Sequence, residues 1–151
     1  MCAAACAAPL LVLAGANAAP AAPGFVQQAS AGGILALENT ARAQAGCPAL
    51  TENAQLTQAA QTHSNDMAKS NFFSHTGSDG STTQSRITAS GFPLTDGGEE
   101  NISQGATSSQ GVFDGWWNSA PHKAAILNCS WTKTGIAGAQ PGNYWTQVFT
   151  R

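Results

Sequence analysis

Three side chains of this 151-residue chain have the chemistry of a polar site, although no local motif connects them. His75 lies in "NFFSHTGSDGS", Glu100 in "GGEENI" and His122 in "WWNSAPHKAAILN". Two neutral imidazoles and a carboxylate suit a divalent metal such as zinc and leave positions open for water or a ligand. A histidine–carboxylate pair, here His75 and Glu100, can instead transfer protons in catalysis. These residues predict a metal site or an acid–base pair, provided that the fold brings them together.

Each of these residues also has an ordinary structural interpretation. His75 could end a helix, where an imidazolium interacts favourably with the helix dipole. His122 could hydrogen-bond within the first turn of a helix, and Glu100 could hold a loop through backbone N–H groups. The residue types alone leave both interpretations open.

Other catalytic arrangements have little support in the sequence. No G-x-S-x-G nucleophile elbow surrounds Ser74 or Ser119. The loop "GSDGS" matches neither a phosphate-binding loop followed by lysine nor a complete calcium loop. His63 falls on the apolar face of a predicted helix, and we interpret it as a hydrogen-bonded helix residue rather than a ligand.

Two helices are predicted before the candidate site. Ile34, Leu37 and Ala41 have helical spacing, and Gly46 is a natural end for that helix. Thr51 is expected to cap the next helix, "ENAQLTQAAQTHSNDMAKS". We expect Phe72 and Phe73 to pack against the end of this helix and to direct His75 into a cleft.

Short elements are predicted after the loop. "TTQSRITASGF" predicts a helix ending at Gly91, and "PLTDGGEENISQG" is expected to be irregular. Ser108 or Ser109 can cap "QGVFDGWWNSA", and Pro121 suits the first turn of "PHKAAILN". "TGIAGA" and "NYWTQVFT", separated by "QPG", predict an antiparallel hairpin. This order predicts an α+β fold with helices on both faces of a small antiparallel sheet.

The N-terminal region resembles an export signal. The first 37 residues contain no Asp, Glu, Lys or Arg, and a short apolar run precedes "ANA", a small-x-small cleavage pattern. We predict a signal peptide at residues 1–18, a flexible Pro/Ala-rich lead at 19–32 and one domain at 33–150. The apolar run is too short for a membrane span. The protein is therefore expected to be secreted, without a transmembrane segment.

Signal cleavage would remove Cys2 and Cys6 and leave Cys47 and Cys129. Two cysteines in an exported chain indicate one disulfide, and the alternative is two unpaired buried thiols. The bridge would close a loop of about 80 residues, which stabilises a fold by roughly 4 kcal/mol in the chain-entropy model.

The charge balance argues against a nucleic-acid partner. The formal net charge is −2, and only 9% of the residues are charged. No basic patch or polybasic anchor is therefore expected. The predicted partner is a small ligand, a lipid or a protein, and the chain is expected to be a monomer.

Four ordered sequence blocks resemble the bacterial branch of the CAP superfamily, which includes cysteine-rich secretory proteins, venom antigens and pathogenesis-related proteins. The blocks are "SHTGSDGS", "EENI", "WWNSAPHKAAILN" and "YWTQVF". The resemblance covers roughly residues 33 to 150 and implies an α-β-α sandwich with a central cleft.

The resemblance also implies which residues line that cleft. Eukaryotic members use two histidines and two acidic residues, and two of these positions correspond to His75 and Glu100. The other acidic position is Ser119 here, and the other histidine position is Tyr144. Bacterial relatives usually have a histidine at the position of His122, which could supply the second imidazole.

Three functional hypotheses follow from the residues and the resemblance. The first is a secreted binding module whose cleft takes a small ligand, lipid or protein partner, with or without a divalent metal. The second is a structural envelope or stress protein with an idle cleft. The third is a hydrolase in which His75 and Glu100 activate water against a peptide or cell-wall bond.

Overall fold

A computed structural model describes residues 28–151 of the chain. The predicted signal peptide and most of the predicted lead lie outside these residues. The described part forms five helices and four strands in this order: α1 Ala31–Gln44, β1 Thr51–Glu52, α2 Ala54–Ser70, α3 Thr83–Ala89, β2 Glu99–Ser103, α4 Ser109–Trp117, α5 Ala120–Ile126, β3 Lys133–Ala139 and β4 Tyr144–Thr150. Among residues 28–151, no helix is long and apolar enough to cross a bilayer.

The four strands form one sheet in the order β1-β3-β4-β2. The predicted hairpin of β3 and β4 is present, and β2 adds to β4 in antiparallel orientation. The prediction of an irregular segment around β2 was wrong, because long-range pairing with β4 makes it a strand. The sheet is mixed rather than purely antiparallel, since the two residues of β1 pair with β3 in parallel.

The start of α2 differs from the prediction for the same reason. Thr51 lies in β1, and its backbone N–H donates to the Thr132 carbonyl at 2.9 Å. The helix cap is supplied by Asn53, whose side-chain oxygen accepts hydrogen bonds from the N–H groups of Gln55 and Leu56. Pairing with the sheet thus moves the helix start beyond the predicted cap.

Helices cover both faces of the sheet, which confirms the predicted α-β-α sandwich. Ile136 and Phe149 face a core shared with α1, α4 and α5. Their neighbours Ala137 and Val148 face the opposite core, which includes Leu56 of α2. This alternation is the two-residue period of a strand buried on both sides.

Helix α1 begins at Ala31, two residues before the predicted start of the domain at residue 33. Ser30 caps α1 by accepting a hydrogen bond from the Gly33 N–H, and Gln28 forms a bridge with Ser108. Ser108 also caps α4, so the first of the two predicted caps, Ser108 or Ser109, is the one used. The predicted disulfide between Cys47 and Cys129 is confirmed, and it joins two residues that are 82 positions apart in the sequence.

Helix α2 lies unusually close to β3, and a glycine makes this approach feasible. A Cβ atom on Gly135 would lie 2.1 Å from the backbone carbonyl carbon of Leu56 and from the backbone nitrogen of Thr57. Ser64 adds a polar contact by donating to the Ala137 carbonyl at 3.0 Å. The packing of α2 on the sheet sets the position of His63, which lies one residue before Ser64.

We predict that Gly135→Ala destabilises the domain by at least about 2 kcal/mol, because the added methyl group forces α2 away from the sheet. The control is Gly115→Ala in α4, where nothing lies within 4 Å of the added Cβ. That change should be neutral or stabilise the helix by up to about 1 kcal/mol. Urea unfolding of both variants measures the difference, and equal stabilities would contradict the close-approach argument.

Candidate functional site

A buried carboxylate forms the centre of the candidate site. The Glu100 side chain is 2% exposed, and its Oε1 lies 2.9 Å from Nδ1 of His75. Its Oε2 lies 2.8 Å from Nη2 of Arg86, whose side chain is 5% exposed. Glu100 thus forms an ion pair on one oxygen and a histidine contact on the other.

Strand β2 presents its side chains to two different faces at the edge of the sheet. Glu100 points to the same face as Ile102, which packs with Met67 of α2. Asn101 points to the opposite face, where its amide donates to the backbone carbonyl of His122 at 3.2 Å. The His75 ring therefore contacts β2 on one face of the sheet, and the backbone of His122 contacts it on the other.

The contact with Glu100 determines which nitrogen of His75 is available. An ionised carboxylate can only accept hydrogen bonds, so Nδ1 of His75 is the donor. The remaining nitrogen, Nε2, has no hydrogen-bond partner among the described residues. Because 54% of the His75 side chain is exposed, we infer that Nε2 is accessible to a ligand.

Two buried cationic or aromatic side chains hold the backbone around His75. Arg86 donates from Nη2 to the His75 carbonyl at 2.9 Å and from Nη1 to the Ser81 carbonyl at 3.0 Å. His63 lies 2.8 Å through Nε2 from the Ser74 carbonyl, which requires that this nitrogen carries the proton. The backbone carbonyls of Ser74 and His75 are therefore both held by buried side chains.

Burial keeps His63 in its neutral form. The ring is fully buried, and burial lowers the pKa of His63, although the nearby charge of Glu100 at 3.8 Å opposes this effect. The other ring nitrogen, Nδ1, is buried and has no hydrogen-bond partner from residue 28 onward. The sequence interpretation of His63 as a hydrogen-bonded helix residue thus agrees with the environment of one of its two nitrogens.

Arg86 was not among the residues singled out in the sequence. A buried carboxylate needs a compensating cation, and Arg86 is one of only six Lys and Arg residues in the chain. That scarcity, together with its place in a short helix between the loop and Glu100, was the available signal. No local pattern connects the two residues, because they lie on different elements.

The two phenylalanines before His75 have different environments. Phe72 is half-buried and packs on the cluster that contains Met67 and Ile102. Phe73 is 50% exposed, so the prediction that both rings anchor the helix end was wrong for Phe73. Asn71, the C-cap residue of α2, adopts a left-handed conformation, which ends the helix before these two residues.

His122 lies in the first turns of α5 and is half-buried. Burial is the main cause that lowers the pKa of His122, and the charge of His75 lowers it further. No hydrogen bond joins the His122 ring to His75 or Glu100 in residues 28–151, and its Nδ1 is buried without a partner.

The remaining two predicted cleft residues are not joined to this cluster. Ser119 is the N-cap residue of α5 and makes no side-chain capping bond. Tyr144 is 2% exposed, and its hydroxyl accepts from the Gln104 amide at 2.9 Å. Tyr144 therefore contributes to the core beneath the site rather than to an open surface.

Two cavities lie elsewhere on the domain, between α1 and α4. They have volumes of about 480 and 240 Å³ and share Leu37 and Thr40 as lining residues. Neither is lined by His75, Glu100 or His122. The candidate polar site is therefore not part of either cavity.

The predicted zinc ligands His75, Glu100 and His122 are not arranged as a metal site in the described part of the chain. Within residues 28–151, no group of three or more His, Cys, Asp or Glu side chains is arranged to hold a metal ion. Each oxygen of Glu100 is held by one protein partner, His75 on Oε1 and Arg86 on Oε2.

Comparison with known proteins agrees with the resemblance of the sequence blocks. The profile of the family described as "Cysteine-rich secretory protein family", or CAP, matches residues 35–150. The protein YkwD of Bacillus subtilis (strain 168) is 29% identical over 116 residues, which are 77% of this chain and 45% of YkwD. The chain spans less than half the length of the curated relatives it matches.

Solved structures share the fold. An extracellular protein containing a SCP domain from Bacillus anthracis str. Ames has a TM-score of 0.74 and 29% identity, over 78% of this chain and 39% of that chain. An outer surface protein from Borrelia burgdorferi has a TM-score of 0.69 and 19% identity, over 77% of this chain and 87% of that chain, and supports the fold alone. Because the family profile covers most of the residues, this chain belongs to the Cysteine-rich secretory protein (CAP) family.

Proposed function

We propose that this CAP domain is a secreted, non-enzymatic binding module in which His75 and Phe73 contact the ligand. The observation that supports this function is a half-exposed imidazole whose Nδ1 and backbone are both held from the interior. Secretion is supported by the apolar N-terminal sequence and by the similar Bacillus anthracis structure, which is described as an extracellular protein.

The environment of Glu100 favours binding over catalysis. A general base must reach the water from which it takes a proton, but the Glu100 side chain is 2% exposed and its two oxygens accept from His75 and Arg86. No serine or threonine hydroxyl is hydrogen-bonded to the His75 ring in residues 28–151. Glu100 is therefore assigned as a positioning residue that orients His75.

The loop is arranged in advance of ligand binding, which favours affinity. Arg86 and His63 hold the carbonyls of His75 and Ser74, so binding does not have to order this backbone. Ordering a flexible side chain costs about 0.5–1.5 kcal/mol on association. A site held in advance avoids much of this cost.

The exposed surface combines an apolar and a polar contact within three residues. Phe73 is 50% exposed, and the His75 side chain is 54% exposed. A neutral His75 with its proton on Nδ1 offers Nε2 as a hydrogen-bond acceptor. The matching ligand has a hydrogen-bond donor beside an apolar group, a description that includes small molecules, lipids and protein segments.

A hydrolase is the second candidate, and one observation favours it. The distance of 2.9 Å between His75 Nδ1 and Glu100 Oε1 is suited to a histidine that takes a proton from water through Nε2. Hydrolysis of peptide or glycan substrates that is lost in both His75→Ala and Glu100→Gln would support it. Absence of turnover on a broad panel of both substrate classes would exclude it.

We predict that His75→Ala and Phe73→Ala each weaken binding of a hit by at least ~10-fold, as for central contact residues of an interface. Hits would come from an NMR screen of the full chain with a fragment library, fatty acids and short peptides. Gln58→Ala, an exposed change elsewhere on α2, is the control and should bind normally. Hits whose affinity is the same in wild type and both variants, or the absence of any hit, would contradict the binding module and support an idle site.

We also predict that Arg86→Met destabilises the domain by about 3–5 kcal/mol, because it leaves the carboxylate of Glu100 buried without its cation. The double variant Arg86→Met/Glu100→Gln should be more stable than Arg86→Met alone, since the uncompensated charge is gone. Urea unfolding of both single variants and the double variant gives the coupling between the residues. Strictly additive losses would show that the ion pair does not hold the site.

A further inference from the structure

A second buried carboxyl group, remote from the candidate site, has an unusual set of partners. Glu38 of α1 and Gln147 of β4 are both fully buried. The amide nitrogen of Gln147 donates to Oε2 of Glu38 at 2.6 Å and lies 3.2 Å from the Thr134 hydroxyl. The other oxygen of each side chain, Oε1 of Glu38 and Oε1 of Gln147, is buried and has no hydrogen-bond partner in the described part of the chain.

An ionised Glu38 does not account for this arrangement. Carboxylate and amide oxygens are both acceptors, so two buried acceptors would remain unsatisfied. Among residues 28–151, no ion pair compensates this charge, although Arg42 lies one turn further along α1. The Arg42 guanidinium donates instead to backbone carbonyls, including those of Ile126 at 2.6 Å and Trp131 at 2.8 Å.

We propose that Glu38 carries a proton in the folded protein at neutral pH and forms a closed acid–amide pair with Gln147, which makes the attachment of α1 to the sheet sensitive to alkaline pH. The proton on Oε1 of Glu38 is donated to Oε1 of Gln147, while the amide N–H of Gln147 is donated to Oε2 of Glu38. One proton thus satisfies both unpartnered oxygens and removes an uncompensated buried charge.

The electrostatic environment agrees with this geometry. Burial raises the pKa of Glu38 to about 8, against the lowering effects of the Gln147 hydrogen bond and of the charge on Arg42. Thr134 of β3, whose hydroxyl lies 3.2 Å from the amide nitrogen of Gln147, is uncharged. Two other ionisable residues lie on elements packed against α1, Asp114 of α4 and Lys133 of β3, and neither is a cause of the raised pKa.

The sign of the pH effect follows from the two pKa values. In the unfolded chain Glu38 loses its proton near its ordinary pKa of 4.5, whereas in the folded protein it does so near about 8. Between these values the folded state binds more protons, so stability falls as pH rises from about 4.5 and levels off above about 8. The lowered pKa values of His63 and His122 act oppositely, because stability falls as pH drops below 6.5. The range above pH 7 therefore isolates Glu38.

Helix α1 also lines both cavities, through Leu37 and Thr40. Glu38 lies between these two residues in sequence but points to the core. A weaker attachment of α1 at high pH would therefore change the surface between α1 and α4 as well as the stability of the fold.

The direct test is carbon-13 NMR of the Glu38 carboxyl group in the full wild-type chain, titrated from pH 4 to 9.5. We expect a midpoint well above neutral pH, with the Glu52 carboxyl as an internal exposed reference. A Glu38 midpoint near its ordinary 4.5 would overturn the proposal. This measurement needs no variant and therefore does not depend on whether a substitution folds.

Unfolding experiments on Glu38→Gln test the consequence for stability. The unfolding equilibrium constant of wild type should rise at least tenfold between pH 6.5 and 9 relative to that of Glu38→Gln, because the amide cannot ionise. Glu52→Gln removes an exposed carboxyl group and should keep the wild-type pH dependence. Parallel pH profiles for wild type and Glu38→Gln over this range would overturn the proposal.

Discussion

The buried ion pair between Glu100 and Arg86 is the interaction on which the candidate site depends. It compensates the charge of a carboxylate that the pairing of edge strand β2 with β4 places inside the domain, since Glu100 lies opposite Val148 of β4. The same two side chains then hold the ring and the carbonyl of His75. Removal of either charge would therefore affect both the stability of the fold and the orientation of the exposed imidazole.

The two buried glutamates of this domain show how the surroundings of a carboxyl group decide its state. Glu100 has a cation on one oxygen and a histidine on the other, which suits an ionised group. Glu38 has an amide on one oxygen and no partner on the other, while the nearby Arg42 is bound to carbonyls. The first arrangement supports a charged positioning residue, and the second supports a protonated residue that joins a helix to the sheet.

Much of the fold could be predicted because its signals are local. Gly46 marks the end of α1, Ser108 caps α4, and the "QPG" turn separates the two strands of the hairpin. Strand β2 could not be predicted, since a short edge strand preceded by glycines depends on pairing with the distant β4. Arg86 was missed, and Phe73 was placed wrongly, because ion pairing across elements and the exposure of a ring both depend on the tertiary structure.

The role of Glu100 can be tested through the protonation pattern of the His75 ring, measured by long-range nitrogen-15 NMR of the imidazole at a pH where the ring is neutral. Nδ1 is expected to carry the proton and Nε2 is not, and this preference should be lost in Glu100→Ala. A ring that is protonated mainly on Nε2, or one whose spectrum is unchanged in Glu100→Ala, would contradict the assignment of Glu100 as the residue that orients His75.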